Sequence, residues 1–338
     1  VIGARPADAS TLEQIMALGD GQLTASLTRV QQRLAEIAEG PAPVLGGPAS
    51  ATMAAGGKRL RPLLVLLCAG APAGQPWSGA ATAQTVRAAV AVELVHAATL
   101  VHDDVLDASA LRRGRPTVVA EHGREIATAT GDLLFSRAFA ELVGNRSTAQ
   151  LAALARASSA LARGELIQRE DAWRTDIGVD RYLLRCELKT ARLFEAACEL
   201  GVRCGSGAAQ TVSALSGFGR DIGVAFQILD DVLDVSGPPE RTGKPRGTDL
   251  LDGTVTLPLI LARQRDPRLA DLDLRSVTEA TEAAGLCERI EAAGALESAR
   301  ERAREHVAAA HRALPAELDA VQRRALELVA DGVVARYA

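Results

Sequence analysis

Residues 80–108 read AATAQTVRAAVAVELVHAATLVHDDVLDA. No Gly or Pro interrupts the stretch, which predicts one helix of about eight turns ending on its acidic residues. The same pattern extends outward. Helical periodicity predicts Thr11–Glu39, stopped by Gly40-Pro41, and Ala49–Gly70, with Lys58-Arg59-Leu60-Arg61 at its middle. Downstream it predicts Arg124–Val143, Thr148–Trp173, Asp180–Leu200 and Ala208–Val235, the last stopped by Gly237-Pro238-Pro239. Strand-like alternation is nearly absent, so the expected class is all-α. No composition break or linker marks a boundary, which predicts a single domain over 1–338. Regions 1–50 and 266–338 read as helical segments without a motif.

The acidic end of that stretch occurs twice, as Asp103-Asp104-Val105-Leu106-Asp107 and as Asp230-Asp231-Val232-Leu233-Asp234. Residues i and i+4 of a helix project side by side, so Asp103 pairs with Asp107 and Asp230 with Asp234. Chance would place about 0.07 copies of such a spacing in a chain of this composition, so two copies carry meaning. Both follow apolar runs, Ala97–Val101 and Val224–Leu229, which argues against two solvated acidic faces. Carboxylate stripes facing each other across a cavity would hold hard divalent cations through oxygen. Mg²⁺ held in that way completes its shell with substrate phosphates, so the expected ligand is a diphosphate.

Basic residues point the same way. Of the 38 basic residues only three are lysine, Lys58, Lys189 and Lys244. In a chain that otherwise uses Arg, Lys survives where a compact ammonium on a flexible stem suits the task, as in a phosphate cradle. The formal charge of −4 argues against general nucleic-acid binding, so the clusters at 58–61 and 112–115 read as local features. Five cysteines without CxxC spacing (68, 186, 198, 204 and 287) predict reduced structural thiols in a cytoplasmic setting. The longest apolar run, Leu63–Ala71, is too short to span a bilayer, and the first ten residues do not read as a secretory signal.

Taken in order, these segments resemble the trans-type polyprenyl (isoprenyl) diphosphate synthases over about residues 55–260. Gly57-Lys58-Arg59-Leu60-Arg61-Pro62 is similar to that family's first substrate motif. His102–Asp107 is similar to its first aspartate-rich motif, and Arg112–Pro116 to the basic loop after it. Lys189-Thr190, Phe226-Gln227 with Asp230–Asp234, and Gly243-Lys244 with Gly247–Leu250 match the later signatures.

The resemblance implies a single large helical bundle around a central cavity, the isoprenoid synthase type I fold, usually homodimeric. It implies a transferase that joins isopentenyl diphosphate to an allylic diphosphate. Three Mg²⁺ would be held by Asp103, Asp107 and Asp230 with Asp231 and Asp234 nearby, and Asp104 would support rather than ligate. Arg112, Lys189, Thr190, Gln227, Lys244 and Asp249 would serve the allylic diphosphate. Gly57, Lys58, Arg61, His96 and Arg113 would serve isopentenyl diphosphate. His96 lies two turns before Asp103 and therefore on its face.

Family resemblance also bears on product length, because bulky residues four and five positions before the first motif act there as a floor. Here those positions are Ala98 and Thr99, with Val95, Val92, Ala91 and Ala88 also small further down. The expectation is an open channel and a product of about C30 to C50, with C20 the minor option and Phe135 or Phe139 the alternative floor. Two competing readings remain at this level, a class I terpene cyclase and a non-catalytic partner subunit of another synthase. The second basic cradle argues against the first, and the complete acidic set against the second.

Overall fold

A computed structural model describes residues 6–39, 43–54, 59–70, 79–112, 114–205, 207–237 and 245–335. The regular structure of the described residues is helical apart from one hairpin of two-residue strands, as the periodicity requires. The chain divides into two compact units. One comprises Val1–Ser158, Leu193–Gly219 and Ala313–Val329; the other comprises Ser159–Arg192, Arg220–Arg312 and Ala330–Ala338.

In the first unit, the helix expected over Thr11–Glu39 is two helices, α1 (Pro6–Leu18) and α2 (Gln22–Ala38). Asp20 (φ 44°) and Gly21 (φ 76°) both adopt the left-handed conformation, which an α-helix cannot contain. Ala49–Gly70 likewise divides, into α3 (Pro43–Ala54) and α4 (Leu60–Cys68), with Arg59 left-handed at the junction (φ 49°, ψ 38°). The predicted eight-turn helix is α5 (Ala83–Leu106), begun by Thr82, whose hydroxyl accepts from the backbone N–H of Thr85 at 3.1 Å. Nearly every residue from Ala88 to Ala98 is buried, so α5 is a central helix wrapped by α2, α3, α4 and α6 (Val118–Val143). A hairpin of β1 (Leu111–Arg112) and β2 (Arg115–Pro116) joins α5 to α6. Gly123 (φ 81°, ψ 171°) breaks the second turn of α6, which explains why its helical pattern begins at Arg124. α7 (Thr148–Asp171) begins in this unit, and α9 (Arg192–Cys204) and the start of α10 (Ala209–Ser236) also belong to it.

In the second unit, α8 (Val179–Cys186) leads into a π-helical turn, Glu187–Ala191, instead of continuing unbroken across the predicted Asp180–Leu200. α7 can approach this turn closely only because residue 164 is Gly; a Cβ there would lie 2.6 Å from the Lys189 backbone nitrogen. The end of α10 is followed by the short helices Thr248–Leu251 and Leu257–Arg263. Both pack on the helix Ala280–Ala292.

All five cysteines are unbridged and four are buried, matching their expected structural role. Burial pushes the Cys204 thiol up to about 11 and that of Cys287 to about 12, so neither forms a thiolate near neutrality. No helix among the described residues is long and apolar enough to cross a membrane.

Candidate active site

The first acidic motif forms the C-terminal turn of α5, where unsatisfied carbonyls already carry partial negative charge. Carboxylates there are unfavourable unless a cation offsets them. The three aspartates have different surroundings. Asp104 is 6% exposed, and its carboxylate accepts from Arg112 Nε at 2.9 and 3.1 Å, with Nη2 at 2.8 Å. Asp103 is half-buried, and Asp107 is exposed, closing the helix through its N–H to Asp103 O at 2.8 Å. The hairpin that follows presents Arg112 to Asp104, so the basic loop and the motif are one braced unit. His102 stacks on Phe135 of α6 at 5.8 Å between ring centroids, over the small residue Gly131.

Beside this motif lies a cavity of about 210 Å³, lined by Met53, Arg59, Glu93, His96, Asp104 and Arg112 among others. Arg61 stacks its guanidinium on the Phe194 ring, 4.5 Å from the centroid. Gly57, Lys58 and Arg113, expected in the same cradle, lie outside the described residues. Along α5, Ala98 and Val95 have no accessible surface, and the same holds for Val92, Ala91 and Ala88. Thr99 is partly exposed and donates its hydroxyl to His96 O at 2.8 Å. The small residues expected to line an open channel are therefore closely packed.

In the second unit the end of α10 repeats the arrangement. Asp230 is exposed, Asp234 half-buried and Asp231 5% exposed. Tyr182 donates its hydroxyl to Asp231 Oδ2 at 2.6 Å, and Gln227 Nε2 donates to Oδ1 at 2.8 Å. The Thr190 hydroxyl in turn donates to Gln227 Oε1 at 2.7 Å. Burial, and then the negative charge of Asp249, push the Asp231 carboxyl up to about 7 against the pull of these hydrogen bonds. Asp249 N donates to Asp234 Oδ2 at 3.2 Å, and Gly247 (φ 77°) donates its N–H to Asp234 O at 2.9 Å. Lys189, in the π-helical turn, donates to Glu165 Oε2 at 2.5 Å and to Gln168 Oε1 at 3.2 Å. Lys244 lies outside the described residues.

A family model described as Polyprenyl synthetase matches residues 42–290. The chain belongs to the polyprenyl synthetase family. The chain is 40% identical over 242 residues to the heptaprenyl diphosphate synthase component 2 of Geobacillus stearothermophilus, covering 71% of this chain and 73% of that one. It is 35% identical over 282 residues to the chloroplastic solanesyl diphosphate synthase 1 of Arabidopsis thaliana, covering 82% and 69%. Among solved structures, a polyprenyl synthase from Caulobacter crescentus, complexed with calcium and isoprenyl diphosphate, superposes with a TM-score of 0.86. Its identity is 33%, and the match covers 97% of this chain and 98% of that one. This polyprenyl synthetase therefore has the helical isoprenoid synthase fold and is a prenyltransferase. Its relatives span products from C20 to C45, so membership alone leaves the chain length open.

Do the residues of this polyprenyl synthetase fit the Mg²⁺ on which the family depends? Among the described residues no three Asp, Glu, His or Cys side chains converge as a metal group. Helical spacing sets the first and fifth carboxylates of each motif on one face, and these are its more accessible aspartates, a pair of hard oxygen donors that fits a cation which keeps waters and takes its other oxygens from phosphate. Asp231, expected among the ligands, has a hydrogen bond to each of its oxygens, as Asp104 is held by Arg112 in the first motif.

Tyr182 beside the second motif, Glu165 and Gln168 beside Lys189, and Glu93 and Phe194 beside Arg59 and Arg61 are contacts that the sequence alone does not reveal. The spacing of Tyr182 seven residues before Lys189 was the available signal for one of them. Glu165 and Gln168 share the i, i+3 spacing of one helix face.

Proposed function

We propose that this polyprenyl synthetase condenses isopentenyl diphosphate with an allylic diphosphate to give an all-trans polyprenyl diphosphate of about C30 to C50, with C20 the minor alternative. One observation carries the reading. Both DDVLD motifs bury and hydrogen-bond their second aspartate, while the first and fifth remain more accessible at a helix end.

Asp103, Asp107, Asp230 and Asp234 are the residues that would hold Mg²⁺, about three ions by family resemblance, with Asp104 and Asp231 supporting them. When bound, Mg²⁺ supplies charge neutralisation to the departing diphosphate. Arg112, Lys189, Thr190, Gln227, Lys244 and Asp249 are assigned to the allylic diphosphate. Of these, Thr190 and Gln227 are already aligned by their mutual hydrogen bond. Gly57, Lys58, Arg61, His96 and Arg113 are assigned to isopentenyl diphosphate, orienting its double bond toward the allylic carbon. The allylic C–O bond breaks, the new C–C bond forms, and the proton lost afterwards goes to the released diphosphate, since among the described residues no side chain has a better claim.

The small residues Ala98, Thr99 and Val95 support the longer product, with the tail parting the packing around α5 as it grows. We further assign this chemistry to a cytoplasmic homodimer acting as a single polyprenyl synthetase domain. The test is isopentenyl-dependent elongation with and without a chelator, in wild type, Asp107→Asn and Asp230→Asn. Elongation abolished by chelation and reduced at least about 100-fold in each variant supports the reading.

A second reading is favoured by one relative, the heptaprenyl synthase named as component 2. In it, this chain requires another subunit for activity. Product formation by the purified chain alone excludes it.

A further inference from the structure

The basic motif before α4 contains a residue that the reading above leaves without a task. Arg59 lies between Lys58 and Arg61, and its backbone is left-handed (φ 49°, ψ 38°) at the N-terminal boundary of α4. A non-glycine residue holds that strained conformation only where its surroundings over-determine it. Here they do. Arg59 Nη1 donates to Glu93 Oε1 at 2.5 Å, and Nη2 donates to Met53 O at 2.7 Å. The side chains are 13% and 5% exposed, so this is a nearly buried ion pair. One guanidinium fork thus ties the last turn of α3 and the middle of α5 to the start of α4.

The consequence reaches residues assigned to isopentenyl diphosphate. The Arg59 carbonyl accepts the first helical bond of α4, from Leu63 N at 2.9 Å, so its conformation sets the helix on which Arg61 rides. Arg61 is stacked on Phe194 two positions later. Glu93 also precedes His96 by three residues on α5, and Arg59, Glu93 and His96 line one cavity. Within the apolar stretch Ala88–Val95 the buried Glu93 carboxylate would be costly without its partner.

We propose that Glu93 is a positioning residue for isopentenyl diphosphate: through Arg59 it fixes the start of the helix that carries Arg61, and it has no direct contact with substrate. The inference rests on the function proposed above. It separates Glu93 from the acidic motifs, whose role is toward cation and allylic diphosphate.

The experiment measures KM for isopentenyl diphosphate and for the allylic starter separately, in wild type, Glu93→Gln, Arg59→Gln and the double variant, with an unfolding midpoint for each. Each single variant is expected to raise KM for isopentenyl diphosphate about tenfold or more, with KM for the allylic starter within about twofold of wild type. The double variant should be no worse than the singles, because the pair acts as one unit. If Glu93→Gln does not fold, Arg59→Lys carries the same comparison, since it keeps the charge but loses the fork. Both KM values rising together, kcat falling alone, or no change in either KM would each overturn the inference while leaving the proposed reaction intact. A wild-type protein that makes no product from any starter overturns both.

Discussion

Tyr182 donates a 2.6 Å hydrogen bond to Asp231, the buried second aspartate of the second acidic motif. Arg112 does the equivalent for Asp104 in the first motif. The two braces differ in charge, because a cation donates to Asp104 whereas the donors to Asp231 among the described residues, Tyr182 and Gln227, are neutral. Removing the phenol leaves Asp231 Oδ2 buried without that donor. Tyr182→Phe is therefore expected to destabilise the fold by about 1–3 kcal/mol and to lower kcat, as read by urea unfolding and steady-state elongation. An unchanged kcat would show that the brace serves stability alone.

Lys189 and Glu165 give a pH dependence with a defined sign. Burial alone would raise the Glu165 carboxyl, but the Lys189 ammonium at 2.5 Å, and then Arg169, hold it below its ordinary value of 4.5. A depressed carboxylate contributes stability that is present above the unfolded value and lost as pH falls through the folded one. The unfolding midpoint of wild type should thus drop below pH 4.5 more steeply than that of Glu165→Gln. Parallel curves for the two proteins would refute a stabilising role for the pair.

Gly164 allows α7 to lie against the π-helical turn. An added Cβ would meet Lys189 N at 2.6 Å and Lys189 Cα at 2.9 Å, and backbone cannot swing aside as a side chain end can. Gly164→Ala should cost about 1–3 kcal/mol and displace Lys189. The expected kinetic signature is a raised KM for the allylic substrate, with KM for isopentenyl diphosphate little changed.

Product length should respond to α5. Thr99 is partly exposed one turn before Asp103, and Ala98 beside it is fully buried. If the growing tail runs along α5 as proposed, Thr99→Phe adds bulk in its path and is expected to shorten the main product by at least one isoprene unit without abolishing condensation. Phe135→Ala, behind His102, should leave product length unchanged; a longer product from that variant would place the floor on α6.

Much of this was legible because it is local. The DDVLD pentapeptides place carboxylates by helical spacing alone, and Thr82 through Asp107 contains no residue that could break α5. What stayed hidden depends on geometry that leaves no composition signal. The π-helical turn at Glu187–Ala191 adds one residue to a helix whose apolar pattern looks continuous. Asp20-Gly21 interrupts a periodicity that resumes in phase, so pattern alone spans the break. Glu93 and Tyr182 are buried among apolar neighbours, and their partners, Arg59 and Asp231, are distant in sequence. The small residues of α5 are plain in the sequence, but smallness does not distinguish a channel wall from a tight helix contact.

The most direct test is to incubate the purified chain with Mg²⁺, labelled isopentenyl diphosphate and, separately, C10, C15 and C20 allylic diphosphates, and to size the dephosphorylated products. The expected result is a product that forms only when both diphosphates are present, disappears on chelation, and ends between about C30 and C50. Absence of product from every starter, or a cyclic hydrocarbon formed without isopentenyl diphosphate, would contradict the assignment of this site to chain elongation.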